Sequence, residues 1–456
     1  MDYVVHPART PLKGVIRVPG DKSISHRAVL LGAISEGVTE IEGFSSGADC
    51  WQTLKGMQAL GVEIEKVDGR IRVHGRGLGG LRATSEALDA GNAGTMIRLL
   101  SGILAGQDFL TVIGGDRYLN RRPMKRIIEP LRLMGADISG VEDEYPPLTI
   151  RGGRLRPIAY QMPVASAQVK SCVLLAGLYA DGWTTVIEEA ASRDHTERML
   201  AAFGAQVAQK RVREEVSGEG QDAEVERRLK QLEGTSEATA FEVGILGCSK
   251  LEGQEMRVPG DISAAAFFLV AATMVPDSNV RIEGVGLNPT RKGIVEVLTR
   301  MGAHIEIEAL GESGGEPFGN LVVRSSELRR IRLGGALIPN LIDELPLLAV
   351  AATQVPGEVV IRDAQELRKK ETDRIHAVVE NLRKMGAKVG EMQDGLVIEG
   401  GHPLKGARVD SFGDHRIAMV FSVAALVAEG ETVIENAQWA DISFPGFYGE
   451  LEALRS

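Results

Sequence analysis

The chain is 456 residues long, carries a formal charge of −10, and is 44% hydrophobic but only 4% aromatic. That length exceeds one ordinary core and points to two domains of roughly 200 residues. An acidic balance with so few rings excludes a broad nucleic-acid or anionic-membrane surface, which needs a basic field and stacking platforms.

The opening "MDYVVHPARTPLKG" has no apolar run behind a basic region, and the longest apolar window, "AAAFFLVAATMV", is too short to cross a bilayer. Three scattered cysteines form no CxxC pair, and eight histidines form no HExxH or HxH cluster. A cytoplasmic chain without disulfides, metal or cofactor is therefore expected.

The next stretch, "VPGDKSISHRAVLLGAIS", reads as a turn entering a helix, and it puts Lys22, His26 and Arg27 in the first turns. A helix N-terminus carries partial positive charge and unpaired N–H groups, so cations there cost a few tenths of a kcal/mol, roughly, unless an anion joins them. Ser23 and Arg27, four residues apart, share a face beside the apolar stripe of Ile24, Ala28 and Leu31.

The same kind of opening recurs as "AGNAGTMIRLLSGIL", "PVASAQVKSCVLLAGL", "PGDISAAAFFLVAATM", "NLIDELPLLAVAA" and "FGDHRIAMVFSVAAL". Between the openings a second phrase repeats: "LGVEIEKVDGRIRVHG", "MGADISGVEDEYPPLTIRG", "FGAQVAQ", "MGAHIEIEAL" and "MGAKVGEMQDGLVIEG". Each predicts a helix ending on Gly and leading into a β-hairpin. Six βαβαββ-like units follow, and the doublet "VPGD" at 18 and 258 divides them into two homologous halves.

We expect an α/β protein of two similar lobes, residues 14–255 and residues 1–13 with 256–456. The last unit, ending "DISFPGFYGELEALRS", has no hairpin after it, so the N-terminal strand is expected to complete it. The charge-dense stretch 210–239 reads as a solvated extension of a surface hairpin.

Charge is placed selectively among the openings. The fourth has no cation, whereas the first offers Lys22, Ser23 and Arg27, the second Asn92 and Arg98, the third Ser166, Gln168 and Lys170, and the sixth His415 with Arg416. Arg122 in "NRRPMKR", Arg193 in "SRDHTER", and Lys370 and Arg374 in "RKKETDRIHAV" add groups able to hold more than one phosphate or carboxylate. Two acids stand out among them, Asp343 in "NLIDELPLL" and Glu371. Asp343 is either a helix cap or the acceptor of a substrate proton, and spacing alone does not choose.

Taken together, "PGDKSISHRA", "GNAGTMIRL", "GDRYLNRRPM", "VASAQVKS", "SRDHTE", "DELPLLAVAA", "LRKKETDRI", "FGDHRIAM" and "SFPGF" resemble the 5-enolpyruvylshikimate-3-phosphate synthase family of enolpyruvyl transferases. The resemblance implies two inside-out α/β barrels of three βαβαββ units each, closing over substrates between the lobes. It implies attack of the 5-hydroxyl of shikimate 3-phosphate on C2 of phosphoenolpyruvate, protonation at C3, and a tetrahedral adduct that expels phosphate. A monomer is expected.

Carried over by position, Lys22, Ser23, Arg27, Ser166, Ala167, Gln168, Arg193, Asp343 and Lys370 resemble contacts to shikimate 3-phosphate. Lys22, Gly94, Arg122, Gln168, Arg374 and Arg416 resemble contacts to phosphoenolpyruvate. Asp343 matches the proton acceptor for the 5-hydroxyl, and Glu371 with Lys22 matches the groups that move the proton at C3. Both substrates carry a phosphate and a carboxylate, the anions that the basic helix openings lack.

One branch of the family has Lys before its "TFP", where this chain has Ile442 before "SFP", so no C-terminal Lys contact is assigned. "ASAQVKS" and "KSISHR" resemble the other branch, which includes forms with Ala in place of Gly94. Gly94 leaves room for the longer inhibitor glyphosate, expected here to compete with phosphoenolpyruvate.

The sister transferase acting on UDP-N-acetylglucosamine uses a mobile-loop Cys, and Cys172 in its apolar helix reads as core instead. A non-catalytic anion-binding relative would need the cations but not Asp343 and Glu371.

Overall fold

All six polar openings start helices in the computed structural model, which describes residues 1–213 and 239–455. They are Lys22–Ile34, Gly94–Ala105, Ala167–Gly177, Ile262–Met274, Leu345–Thr353 and His415–Ala425. Their Ala, Leu and Val content follows from burial on nearly every side, as at Ile262–Met274, where residues 262 to 273 are all buried. Small sheets flank these helices and bury one face, seen in the alternation along Leu110–Gly114 and Trp183–Glu188.

The second repeated phrase has one physical basis. Gly61, Gly135, Gly204, Gly302 and Gly386 all have positive φ, between 79° and 102°. Each accepts the left-handed turn that ends a helix, and the amide after it reaches back five residues, as Ala136 N donates to Leu131 O at 3.0 Å and Ala303 N to Leu298 O at 2.9 Å. The chain is thereby aimed into a hairpin, for example His304–Ser313 with Glu316–Arg324. The third hairpin pairs Val207–Arg213 with Thr239–Leu246, so most of the 210–239 extension lies outside the described residues.

The chain forms two compact units, Met1–Ser25 with Glu42–Trp51 and Arg257–Ser456, and His26–Ile41 with Gln52–Met256. Residues 14–25 and 42–51, placed with the first half by sequence, pack with the second. The reason is strand exchange. Lys13–Arg17 runs parallel to Asn279–Gly286 in a four-stranded sheet of the first unit, while Glu255–Arg257 lies beside Val38–Glu42 in a sheet of the second.

In the unit containing 257–456, Tyr3–Val5 pairs antiparallel with Thr432–Glu435 and supplies the strand that the last repeat lacks. Phe267, Phe268, Phe444 and Phe447 pack edge-on or tilted with centroids 5.7 to 5.8 Å apart in its core.

The two "VPGD" turns meet reciprocally in this unit. Asp21 N donates to Pro259 O and Asp261 N to Pro19 O, both at 2.8 Å. A Cβ on Gly20 would lie 1.9 Å from Gly43 O, so only Gly fits there. Arg291, 4% exposed, reaches Asp21 at 3.4 Å, Asp261 at 3.3 Å and Ser263 Oγ at 2.9 Å, joining both turns through one guanidinium.

Within the other unit, the Gly94 and Ala167 helices approach so closely that a Cβ on Gly102 would sit 2.3 Å from Cys172 O. That contact sets the spacing of the two helix starts that carry candidate site residues.

Candidate active site

In the unit containing 52–256, the Gly94 helix has no side-chain cap at its N-terminus. The groups around that end are held in a chain of hydrogen bonds. Arg98 Nη1 donates to Gln168 Oε1 at 2.5 Å, and Gln168 Nε2 donates to Thr95 Oγ1 at 2.9 Å, so the Gln168 amide has a defined orientation. Arg122 Nη2 donates to Asn92 Oδ1 at 2.7 Å, and Asn92 Nδ2 in turn donates to Asp116 at 2.9 Å. A Cβ on Gly94 would lie 3.3 Å from the Nη1 atoms of both Arg122 and Arg98.

Ser166 caps the Ala167 helix by accepting from Val169 N, and Ser166, Ala167 and Gln168 are all half-buried at that end. Arg27, 3% exposed, donates from Nε to Thr196 Oγ1 at 2.6 Å and from Nη2 to Ser171 Oγ at 2.8 Å. Arg193 is half-buried on the loop before the helix His195–Ala202.

In the unit containing 257–456, the geometry centres on Asp343, in the turn before the Leu345 helix. Three cations surround its carboxylate: Arg374 Nη1 at 3.3 Å, Arg416 Nη2 at 3.8 Å and Lys370 Nζ at 3.9 Å. Arg374, 1% exposed, also reaches Glu371 at 2.6 Å and Asp414 at 2.8 Å, tying three carboxylates to one guanidinium. Burial works against its charge, but Asp414, Glu371 and Asp343 outweigh that cost and hold its pKa above the ordinary Arg value.

Lys22 and Ser23 belong to the same unit, in the first turn of the Lys22 helix, which Asp21 caps through Ile24 N at 2.9 Å. Lys22 Nζ meets Asp49 Oδ2 at 2.8 Å. Burial lowers its pKa, yet Asp49 and the nearby Glu371 more than compensate and raise it above the usual lysine range. Ser23 is half-buried beside it.

His415 is an exception to its sequence reading. Burial pushes its pKa down to about 4, against the pull of Asp414, so at neutral pH the imidazole is uncharged and leaves Arg416 as the cation of the sixth opening.

Several participants had no sequence signal of their own. Asp49 and Asp414 look like ordinary helix-start acids, although Asp414 both caps the His415 helix through Arg416 N and pairs with Arg374. Glu344 hides behind Asp343; it is 2% exposed, accepts from Ser263 Oγ and lies 3.8 Å from Arg416, and burial raises its pKa. Among the described residues, the one group with metal-ligand spacing is Glu63, Glu65 and His74 on a surface hairpin. Cys50 and Cys172 are buried, and burial pushes the Cys50 thiol up to about 12, far from a reactive thiolate.

The family model described as EPSP synthase (3-phosphoshikimate 1-carboxyvinyltransferase) matches residues 7–244 and 224–451. The chain is 49% identical over 456 residues to the 3-phosphoshikimate 1-carboxyvinyltransferase of Desulforamulus reducens, covering 100% of this chain and 99% of that one. It is 51% identical over 438 residues to that of Brevibacillus brevis, covering 96% of each. A solved structure of EPSP synthase from Acinetobacter baumannii matches with a TM-score of 0.85 at 41% identity, covering 99% of this chain and 98% of that one.

Proposed function

Since the chain belongs to the EPSP synthase (3-phosphoshikimate 1-carboxyvinyltransferase) family and transfers the enolpyruvyl group of phosphoenolpyruvate to shikimate 3-phosphate, we propose how its side chains divide that work. Lys22, Ser23, Arg27, Ser166, Ala167, Gln168, Arg193 and Lys370 hold shikimate 3-phosphate. Lys22, Gly94, Arg122, Gln168, Arg374 and Arg416 hold phosphoenolpyruvate. Charge-assisted bonds from such groups contribute roughly 1.5 to 3 kcal/mol each.

Asp343 accepts the proton of the 5-hydroxyl as its oxygen bonds to C2. Glu371 with Lys22 delivers a proton to C3, giving the tetrahedral adduct. The same pair takes a proton back from C3 as the C2–phosphate bond breaks, which restores the double bond and releases phosphate. The supporting observation is the ring of Arg374, Arg416 and Lys370 around one carboxylate, which holds a base among the cations that anionic substrates would engage.

The reading is tested by phosphate release from phosphoenolpyruvate offered with shikimate 3-phosphate or with UDP-N-acetylglucosamine, without added metal. Release with the shikimate substrate alone, lost in Asp343→Ala, is expected. Release with the sugar nucleotide, or turnover unchanged in Asp343→Ala, overturns it.

The proposal extends to glyphosate as a competitor of phosphoenolpyruvate at Gly94, and to a monomer acting in the cytoplasm, where its three free cysteines suit a reducing compartment. Among the described residues no helix is long and apolar enough to cross a membrane.

A further inference from the structure

Lys170 is 1% exposed, yet its ammonium contacts Glu188 Oε1 and Glu197 Oε1, both at 2.8 Å. It also donates to Ser192 O at 3.4 Å. Glu188 accepts from Ser192 N at 3.2 Å and from Ser192 Oγ at 2.6 Å. The loop from the strand Trp183–Glu188 to the helix His195–Ala202 therefore closes around one buried cation, and Arg193 is the residue after Ser192 in that loop.

The cluster makes little sense as a device for stability. Two carboxylates share one ammonium, Glu197 Oε2 is buried without a partner, and burial pushes the Glu197 carboxyl upward. Buried ion clusters of this kind are often matched or bettered by apolar side chains of similar volume. What the cluster does supply is position.

One residue along each helix, Ser171 and Thr196 meet at 2.6 Å, and these two hydroxyls hold Arg27. Ser171 also donates to Ala167 O at 2.6 Å. The Lys170–Glu197 and Ser171–Thr196 pairs thus lock the Ala167 helix to the His195 helix. Gln168 is fixed independently, by Arg98 and Thr95.

We propose that Lys170 is a positioning residue for shikimate 3-phosphate, setting the loop that carries Arg193 and the hydroxyl pair that holds Arg27. This rests on the assignment of Arg27 and Arg193 to that substrate. The groups it positions belong to one substrate only, so its loss should separate the two Michaelis constants.

The test is Lys170→Met in the full chain, alone and combined with Arg193→Ala, with KM for each substrate, kcat and thermal midpoint measured. Lys170→Met should raise KM for shikimate 3-phosphate about tenfold while KM for phosphoenolpyruvate and kcat stay within about twofold. In the Arg193→Ala background it should add less than about threefold. Should Lys170→Met not fold, Ser192→Ala keeps both ion pairs, removes the loop's hydroxyl bond, and should raise the same KM about threefold.

An unchanged KM for shikimate 3-phosphate, equal shifts for both substrates, or full additivity with Arg193→Ala overturns the positioning role. If Arg193→Ala and Arg27→Ala themselves leave that KM unchanged, the substrate assignment beneath it is what fails.

Discussion

The two clusters of cations are held by different chemistry. In the unit containing 52–256, Arg27, Arg98 and Arg122 donate to the hydroxyl and amide oxygens of Thr196, Ser171, Gln168 and Asn92. In the unit containing 257–456, Lys370, Arg374 and Arg416 face the carboxylates of Asp343, Glu344, Glu371 and Asp414. A guanidinium resting on an amide oxygen keeps its charge for an incoming anion. One tied to carboxylates has part of its field cancelled, and its partners remain available for proton transfer. The first arrangement suits gripping; the second suits gripping and acid–base chemistry together.

The largest expected effect tests that division directly. Asp343→Ala should lower kcat by about a thousandfold or more, in line with the loss of a positioned base, while affinity for shikimate 3-phosphate by calorimetry changes by a small factor. Loss of affinity with turnover preserved would make Asp343 a brace for its cations, and the contrast between the clusters would then be one of packing alone.

Arg374→Met against Arg122→Ala is the next comparison. Asp414 is 0% exposed and pairs with Arg374, so the first variant strands a buried charge and should cost about 3 to 5 kcal/mol in denaturant unfolding. Arg122 sits half-buried on a neutral amide. Its removal should leave stability within about 0.5 kcal/mol and raise KM for phosphoenolpyruvate instead. Equal losses of stability would erase the distinction.

His415 sharpens the same point through pH. Its folded pKa, about 4, lies below the ordinary histidine value of 6.5 that holds in the unfolded chain, so the unfolded chain binds the proton first. The stability it contributes is fully present above pH 6.5 and is lost as pH falls through 4. The gap in unfolding free energy between the parent and His415→Asn should therefore shrink on acidification from pH 7 to pH 4, by roughly 2 to 4 kcal/mol. A gap that stays constant would mean that the folded imidazole takes up its proton as readily as the unfolded one, so that the sixth opening gains a second cation on mild acidification.

How much of this was legible in the sequence depended on whether the signal was local. Helix openings, the glycines at 61, 135, 204, 302 and 386, and the hairpins after them are written within a few residues, and the structure has them there. The exchange of Lys13–Arg17 and Glu255–Arg257 between sheets was not legible, because strand pairing across more than 200 residues leaves no local mark. Motifs singled out Arg374 and Arg416, but not that Asp414 pairs with the first and Glu344 lies against the second. Lys170 was visible as one more basic residue at a helix opening; only burial beside Glu188 and Glu197 distinguishes it from a substrate contact.

The smallest effect is the most discriminating. In Gly94→Ala the new methyl would meet the Nη1 atoms of Arg122 and Arg98 at 3.3 Å, tighter than comfortable contact but against the ends of flexible side chains. Arg122 can yield a few tenths of an ångström, because its contact to Asn92 is a single bond to an amide. KM for phosphoenolpyruvate should then rise only about three- to tenfold, near 1 kcal/mol, with folding stability unaffected. Glyphosate, being longer, should lose much more affinity than phosphoenolpyruvate in inhibition assays. A guanidinium locked by three carboxylates, as Arg374 is, could not move aside in this way. Equal losses for both ligands would therefore show that Arg122 is as rigid as Arg374, and that the compliance inferred from its neutral partner is absent.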